Sequence, residues 1–338
     1  MIWHIALDTV MEGALGMGID IVGTAARLQR AGKVPLPRRA HALEQRVVSM
    51  NGKAVHDVQQ RPVHVDGALS LRQVRSGDVL VLPGLFATKN SSIERILARP
   101  DVQQLLELLP RAHAKGALIA ASCSSTFLLA ASGLLDGASA TTTWWLMPFF
   151  AQRFPRVELC ADRMVVDNGR VITAGSAFAH ADLMLAVVAR VTSPSLSNLA
   201  ASYLVLDARA SQARYMVLEH LRSFDPLLRT LEEFITANVH RQVMLPELAR
   251  AAATSPRTLA RRIEAAAGIT PRQFVHRVRV AHAAHLLETT KAPVEEVASR
   301  VGYADAAAFR RVFKRYAGES PRGHRTTPPL PGTDRAHG

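Results

Sequence analysis

One cysteine and two sets of arginines are the side chains of this sequence whose setting can do chemistry. Cys123 lies in Ala120-Ala121-Ser122-Cys123-Ser124-Ser125, between a short apolar run (Ala117 to Ala121) and a helix-like run (Thr126 to Leu135). A nucleophile at a strand-to-helix turn has its sulfur at a helix N-terminus, which lowers the thiol pKa and lets backbone N–H groups hold an anion. Cys123 is therefore a candidate catalytic thiol; the competing reading is a small buried residue filling a turn. The arginines fall in two places of like layout. A short helix (Leu245 to Ala253), the turn Thr254-Ser255-Pro256 and a basic helix with Arg257, Thr258, Arg261 and Arg262 make the first. The second has a short helix (Val294 to Val301), the turn Gly302-Tyr303-Ala304-Asp305, and a helix that opens on Ala306 and carries Arg310, Arg311, Lys314 and Arg315.

Each layout reads as a helix-turn-helix, in which one helix enters the DNA major groove while its partner braces it across the phosphates. Ser255 and Asp305 are good N-cap types, and arginines on the exposed face contact phosphate or guanine. Leu259 and Ile263, like Phe309 and Phe313, are four apart and fall on the opposite face, where they close a small core. The bland alternative is a pair of amphipathic helices with solvated arginine faces. The repeat of turn, cap and arginine helix argues against it. His276, His282 and His285 stand at helical spacings without an acidic or cysteine companion, so they are expected at the surface or facing phosphate, and no metal site or cofactor is expected.

These residues need a scaffold. Ile2 to Leu7 and Asp78 to Leu82 are short apolar runs that read as buried parallel strands. Helix-like segments follow at Ile19 to Leu28, Ser92 to Ala98 and Val102 to His113. Such alternation implies a doubly wound α/β domain. Arg163 to Asp167 and Arg170 to Ala174 flank Asn168-Gly169, a hairpin signal; Cys160, after Val157 to Leu159, is expected in a strand and in the core. Helical patterns resume at Phe178 to Val191 and Leu196 to Leu206. From Asp225 to Arg325 only helices can be drawn, among them Pro226 to Asn238. Pro271 to Glu288 is another, an 18-residue segment whose length, ~27 Å, suits successive major grooves about 34 Å apart. The expected organisation is an α/β domain over 1–195, a connector over 196–225, an all-α DNA-binding domain with two helix-turn-helix units over 226–325, and a disordered tail over 326–338.

The 338 residues carry 41 Lys+Arg against 28 Asp+Glu, a net charge of +13. Residues 226–325 hold 17 basic and 9 acidic side chains, so more than half of the excess lies there and points to a polyanionic partner, double-stranded DNA. Two cysteines make no disulfide framework, and Asp8 and Glu12 stand where a signal peptide needs a basic then an apolar stretch, so a cytoplasmic setting is expected. The uncharged stretch Gly116 to Leu135 approaches membrane-span length, but Ser122, Ser124, Ser125, Thr126 and Ser132 make it a strand, turn and helix; no membrane partner is expected.

The last hundred residues resemble the AraC/XylS DNA-binding domain. The resemblance rests on Leu248-Ala249, Ser255, Arg257, Leu259, Arg261, Gly268-Ile269-Thr270-Pro271, Arg279, Leu286-Leu287, Val297-Ala298, Val301-Gly302-Tyr303, Phe309-Arg310, Phe313-Lys314 and Gly318-Glu319-Ser320-Pro321. Ile263 departs from the usual Phe. Ala306-Ala307 replace the polar base-reading groups frequent at that place, which shifts base reading toward the first unit and leaves the second mostly gripping phosphate.

The first two hundred resemble the flavodoxin-like PfpI/ThiJ branch of the class I glutamine amidotransferase fold, in the form fused to an AraC domain in GlxA-like regulators. Asp20 with Gly23, Pro83-Gly84, Cys123, Gly133-Leu134-Leu135-Asp136-Gly137, Ala140-Thr141-Thr142 with Trp144, Asp167-Asn168-Gly169, Asp182 and Arg209 with Gln212 carry it. In hydrolytic relatives a His follows the Thr pair as the base for the cysteine; here that position is Thr143. An acid at Asp20 raises a thiol pKa, so hydrolysis is not expected. The resemblance implies a transcription regulator, homodimeric through the α/β domain. Its small-molecule effector would sit in a pocket of Asp20, Gly84, Cys123, Ser124, Thr143 and Trp144. The alternative is a PfpI-class cysteine hydrolase or glyoxalase-like enzyme using Cys123.

Overall fold

The computed structural model describes residues 1–35, 42–207, 209, 212, 226–267 and 269–326. The chain forms two units, Met1–Gln212 and Ala213–Gly338. The expected tail from 327 onward, Gly268, and most of the expected connector beyond 207 lie outside the described residues.

The first unit is built on a sheet with strands β1 (Ile2–Ile5), β2 (Gln45–Val48), β5 (Val79–Leu82), β6 (Leu118–Ser122), β9 (Val165–Asp167) and β10 (Val171–Ala174), in the order β2-β1-β5-β6-β10-β9. Two-residue strands β3 (Val55–His56) and β4 (Pro62–Val63) pair with each other, as do β7 (Ser139–Ala140) and β8 (Glu158–Leu159). All neighbours in the main sheet are parallel except β9, which the Asn168-Gly169 turn folds back on β10 as the sequence predicts. Alternation along the strands serves two cores. Ile5, Leu80, Leu82, Ile119 and Ala121 face one, filled by Leu105 and Leu109 of α3 (Pro100–Ala114). Ile2, Val79, Val81, Ala120 and Ile172 face the other, filled from α1 (Glu12–Arg30) and α6 (His180–Val191). Both faces are covered, the doubly wound arrangement that the alternation of strands and helices implied.

Three boundaries differ from expectation. α1 starts seven residues before Ile19 because its apolar stripe begins at Ala14 and Leu15. Strand β2 is absent from the sequence reading, its residues Gln45 and Val47 being only partly buried. The helix α7 (Pro194–Tyr203), with Ser193 Oγ accepting the Leu196 N–H at 3.2 Å, packs on α1 and α6, so the residues from 196 begin as part of the first unit and not as a connector. Between β5 and α3 lies α2 (Asn90–Leu97); α4 (Thr126–Ala131) follows β6, and α5 (Met147–Arg153) precedes β8. Cys160 is half-buried beside β8, less enclosed than a core residue.

Two histidines of this unit are fully buried. His4 Nε2 lies 2.9 Å from the Gln45 Oε1, and His180 Nδ1 lies 2.9 Å from Ser122 Oγ. Burial pushes the His4 pKa down to about 4; burial, then repulsion from His4, pushes His180 down to about 3. The unfolded chain therefore binds protons here before the folded one does. Stability is full above pH 6.5 and falls as the pH drops toward 4. At pH 5 the loss is on the order of 2–4 kcal/mol for the pair. All three tryptophans lie in this unit. Trp fluorescence of the full chain should thus show an unfolding midpoint that drops between pH 7 and 5, with a smaller drop in His4→Gln; an unchanged midpoint refutes the assignment.

The second unit is helical throughout its described residues: α8 (Pro226–Ala237), α9 (Leu245–Ala251), α10 (Pro256–Ala267), α11 (Pro271–Thr289), α12 (Val294–Arg300), α13 (Ala306–Ala317) and α14 (Pro321–Thr326). Helix α11 runs through it, packed against α8, α10, α12, α13 and α14. Its buried residues include Phe274, Val278, Val280, Ala283 and Leu287, which do not fall on a single line because the helix is covered on several sides, while Ala281 is exposed. Among the described residues, no helix is long and apolar enough to cross a membrane, and no cluster of three metal-ligating side chains occurs.

Candidate nucleic-acid interface and cysteine elbow

The two helix-turn-helix pairs are α9–α10 and α12–α13. In the first, Ser255 Oγ accepts the Thr258 N–H at 3.2 Å and lies 2.9 Å from Thr258 Oγ1, which ties the start of α10. In the second, the Asp305 carboxylate accepts the N–H groups of Ala307 at 2.8 Å and Ala308 at 3.1 Å. Those two donors, then Arg311 and Arg310, hold the Asp305 pKa below the usual carboxylate range. Both caps sit where the sequence places them.

Each basic helix turns its apolar residues inward. Leu259, Ile263, Phe309 and Phe313 are completely buried. Arg257, Arg261 and Arg262 on α10, and Arg310, Arg311 and Lys314 on α13, are exposed, while Thr258 and Ala306 are half-buried. Arg310 also pairs with Glu295 of α12. The pair is solvent-exposed and weak, so it braces the two helices without removing the arginine from a phosphate's reach. Helix α11, 19 residues and ~28 Å long, separates the two pairs.

The interior of this unit holds two arginines whose burial sequence reasoning missed. Arg277 and Arg279 are each 5% exposed. Arg277 lies over the ring of Tyr316 at 5.3 Å and Arg279 over that of Tyr303 at 5.7 Å. Arg279 donates through Nη2 to the Arg241 carbonyl and through Nη1 to the Gly302 carbonyl at 3.4 Å. His276, expected at the surface, is half-buried instead: its Nδ1 lies 2.7 Å from the Tyr303 hydroxyl. The aromatic partners, Tyr303 and Tyr316, lie beyond the end of α11 in sequence, which helical spacing within α11 cannot reveal.

In the first unit the cysteine stands where the elbow was expected. Cys123 follows β6 with φ +57°, in the left-handed region, and its N–H donates to the Gly175 carbonyl at 2.6 Å. Gly84 faces it so closely that a Cβ there would lie 2.8 Å from the Cys123 Cβ. Only glycine leaves room for that backbone approach. Ser124 Oγ donates to the Leu85 carbonyl at 2.5 Å, Ser125 Oγ to the Pro83 carbonyl at 2.5 Å, and Thr142 Oγ1 to the Cys123 carbonyl at 2.7 Å. The two serines after the cysteine therefore fasten the turn to the end of β5.

The thiol's chemistry is the reverse of an activated nucleophile's. Burial pushes its pKa up, against weaker opposing hydrogen bonds from the Ser124 backbone, Thr143 and the Ser124 side chain. Thr143 lies 3.2 Å from Ser176 Oγ. Trp144 is buried beside Trp145 in an edge-on pair. Gly84, Cys123, Ser124 and Thr143 thus come together. Asp20 does not join them: it is exposed on α1, on a turn whose buried positions are Gly18, Ile21 and Val22. Gln212, fully buried, donates through Nε2 to Thr141 Oγ1 at 2.8 Å and fixes the threonine segment from behind. In native protein an alkylating reagent should modify Cys160 first and Cys123 only after unfolding, since rate follows exposure and thiolate fraction. Equal rates counted by mass spectrometry would contradict the buried, raised-pKa thiol.

Residues 17–190 match the DJ-1/PfpI family, and residues 248–327 match a helix-turn-helix domain. The chain is 28% identical over 219 residues to the HTH-type transcriptional regulator GbdR of Pseudomonas aeruginosa, covering 64% of this chain and 59% of GbdR. It is 30% identical over 217 residues to the HTH-type transcriptional regulator GlxA of Rhizobium meliloti, covering 63% and 66%. It is 26% identical over 288 residues to the HTH-type transcriptional regulator CdhR of Pseudomonas aeruginosa, covering 84% and 82%. The aligned part of the chain spans about three-fifths of GbdR's length.

Proposed function

The chain belongs to the DJ-1/PfpI family and carries a helix-turn-helix domain behind that part, and from this premise we propose that it is a sequence-specific DNA-binding transcription regulator. The observation that carries the reading is the duplicated arrangement in the helical unit: two capped, arginine-faced helices joined through one long, well-packed helix. Helices α10 and α13 enter successive major grooves, with Ser255, Arg257, Thr258, Arg261 and Arg262 at the first and Asp305, Ala306, Arg310, Arg311 and Lys314 at the second. The names of the similar proteins support the same reading.

The α/β unit, residues 1–195 with α7 added, is in this proposal the regulatory half. It senses a small molecule at the elbow and joins two chains into a homodimer, in a cytoplasmic setting. Cys123 is a structural residue and not a nucleophile: its burial, its raised pKa and the lack of an imidazole at Thr143 all speak against a hydrolase or glyoxalase-like role.

A gel shift on the DNA upstream of the protein's own gene tests the proposal. Each neutralised phosphate releases counterions, so with roughly four to six such contacts affinity should fall about 10²- to 10³-fold between 50 and 200 mM salt. Absence of a shifted band at low salt, or a salt-independent one, overturns it.

A further inference from the structure

The first unit ends at Gln212, and that last residue is only 1% exposed. Domain boundaries ordinarily fall in solvent-exposed stretches that few contacts cross. Here the chain's exit is wired into the cysteine elbow. Gln212 Nε2 donates to Thr141 Oγ1 at 2.8 Å and to the carbonyls of Thr142 and Arg163 at 3.2 and 3.3 Å. Its backbone N–H donates to the Asp162 carbonyl at 3.2 Å. The same side chain lies against Gly175, where a Cβ would come within 2.5 Å of Gln212 Oε1. Three residues earlier Arg209 clamps the exit a second time, donating through Nη2 to Asp182 Oδ2 at 2.5 Å and to the Phe178 carbonyl at 2.6 Å.

Both backbone polar groups of Cys123 end on residues that Gln212 also meets. The Cys123 N–H donates to the Gly175 carbonyl at 2.6 Å, and the Cys123 carbonyl accepts from Thr142 Oγ1 at 2.7 Å. A displaced Cys123 therefore pulls on Gly175 and Thr142, and either movement disturbs the buried amide packed between hydrogen-bond partners that cannot be replaced by water. We propose that Gln212 is a coupling latch between the elbow and the chain's exit toward the helical unit. Displacing the elbow loosens the exit, and loosening the exit opens the elbow, because coupling between two sites is reciprocal. An occupant of the elbow would thereby change how firmly the exit is held. That consequence rests on the reading of the elbow as the sensing site; the coupling itself does not.

Two measurements on the full chain, without DNA or effector, test the two directions. In the first the exit is loosened by Gln212→Ala, or more gently by Arg209→Ala, and iodoacetamide labelling of Cys123 is followed by mass spectrometry. The Cys123 rate should rise at least about tenfold in Gln212→Ala, while half-buried Cys160 keeps its native rate and serves as the internal standard. In the second the elbow is displaced by Gly84→Ala, whose Cβ would lie 2.8 Å from the Cys123 Cβ. Thr142→Val, which removes the donor to the Cys123 carbonyl at nearly constant volume, serves where Gly84→Ala does not fold. Trypsin cleavage after Arg214, two residues past the latch, should quicken by about tenfold in these variants. Leu109→Ala, a cavity in the core beneath α3, is the control for lost stability alone and should quicken neither reaction as much. A Cys123 rate in Gln212→Ala no higher than in Leu109→Ala makes Gln212 a packing residue and overturns the proposal. So does cleavage after Arg214 that stays at the native rate in the elbow variants. Either failure leaves a positive gel shift, and the elbow's reading as a sensing site, to be judged on their own.

Discussion

Replacing Arg257 and Arg261 together by alanine should remove specific DNA binding at physiological ionic strength. Each bidentate contact of an arginine with guanine is worth about 1–3 kcal/mol of discrimination, so two amount to a loss of about 30-fold to 10⁴-fold. The fold should survive, because both side chains are exposed and α10 is held by Leu259 and Ile263 from its other side. The same change at Arg311 should cost less and act differently. Helix α13 opens on Ala306 and Ala307, which offer no hydrogen-bonding groups to a base edge, so its cations hold phosphate. Loss of a phosphate contact weakens binding to all sequences alike and lowers the salt slope by about one, whereas loss of a base contact relaxes sequence preference and leaves the slope in place. Titrating specific and scrambled DNA at several salt concentrations separates the two. A double variant that keeps native affinity, or an Arg311→Ala that changes sequence preference while the double variant does not, would reverse the roles assigned to the two helices.

What could be read from the chain beforehand depended on whether the controlling interactions were local. The hairpin at Asn168-Gly169 and the caps at Ser255 and Asp305 were legible because turn and cap residues act on backbone within three positions of themselves. Phe309 and Phe313 were legible as core because four-residue spacing fixes a helix face. Strand β2 was not: Gln45-Arg46-Val47-Val48 is an edge strand with one fully buried residue, and nothing in four such residues forces pairing with β1. The elbow was legible in backbone and illegible in surroundings. Cys123 lies between strand and helix as expected, yet the pocket assigned to it included Asp20, whose place on α1 depends on where that helix starts and how it rotates against the sheet. Arg277 and Arg279 failed for another reason. Arginine in a basic helix is ordinarily solvated, and only the fold brings Tyr316, Tyr303 and the Arg241 carbonyl to them.

Gly302→Ala should unfold or severely destabilise the helical unit while sparing the other. Gly302 has φ +76°, where an alanine costs about 1 kcal/mol. The larger effect is steric: its Cβ would lie 2.6 Å from the Val239 carbonyl oxygen and 2.9 Å from Arg279 Nη2. A backbone oxygen cannot rotate away, so either the segment after α8 or the turn before α13 must shift. Either movement pulls the Arg241 or Gly302 carbonyl from the Arg279 guanidinium, and a buried cation that loses acceptors costs several kcal/mol. Together these give about 3–5 kcal/mol, a large part of the 5–15 kcal/mol that holds a typical domain. Because every tryptophan belongs to the α/β unit, fluorescence should report an unfolding transition close to the native one, while far-ultraviolet circular dichroism shows loss of helix at lower temperature. DNA binding should disappear with it. Gly302→Asn separates the causes, since asparagine tolerates positive φ and still carries the offending Cβ. Destabilisation by asparagine nearly as large as by alanine locates the effect in the close approach; native stability in the asparagine variant would show backbone strain to be the whole of it, and the packing between the Val239 segment and Arg279 would then not be what fixes the two helix-turn-helix units in one frame.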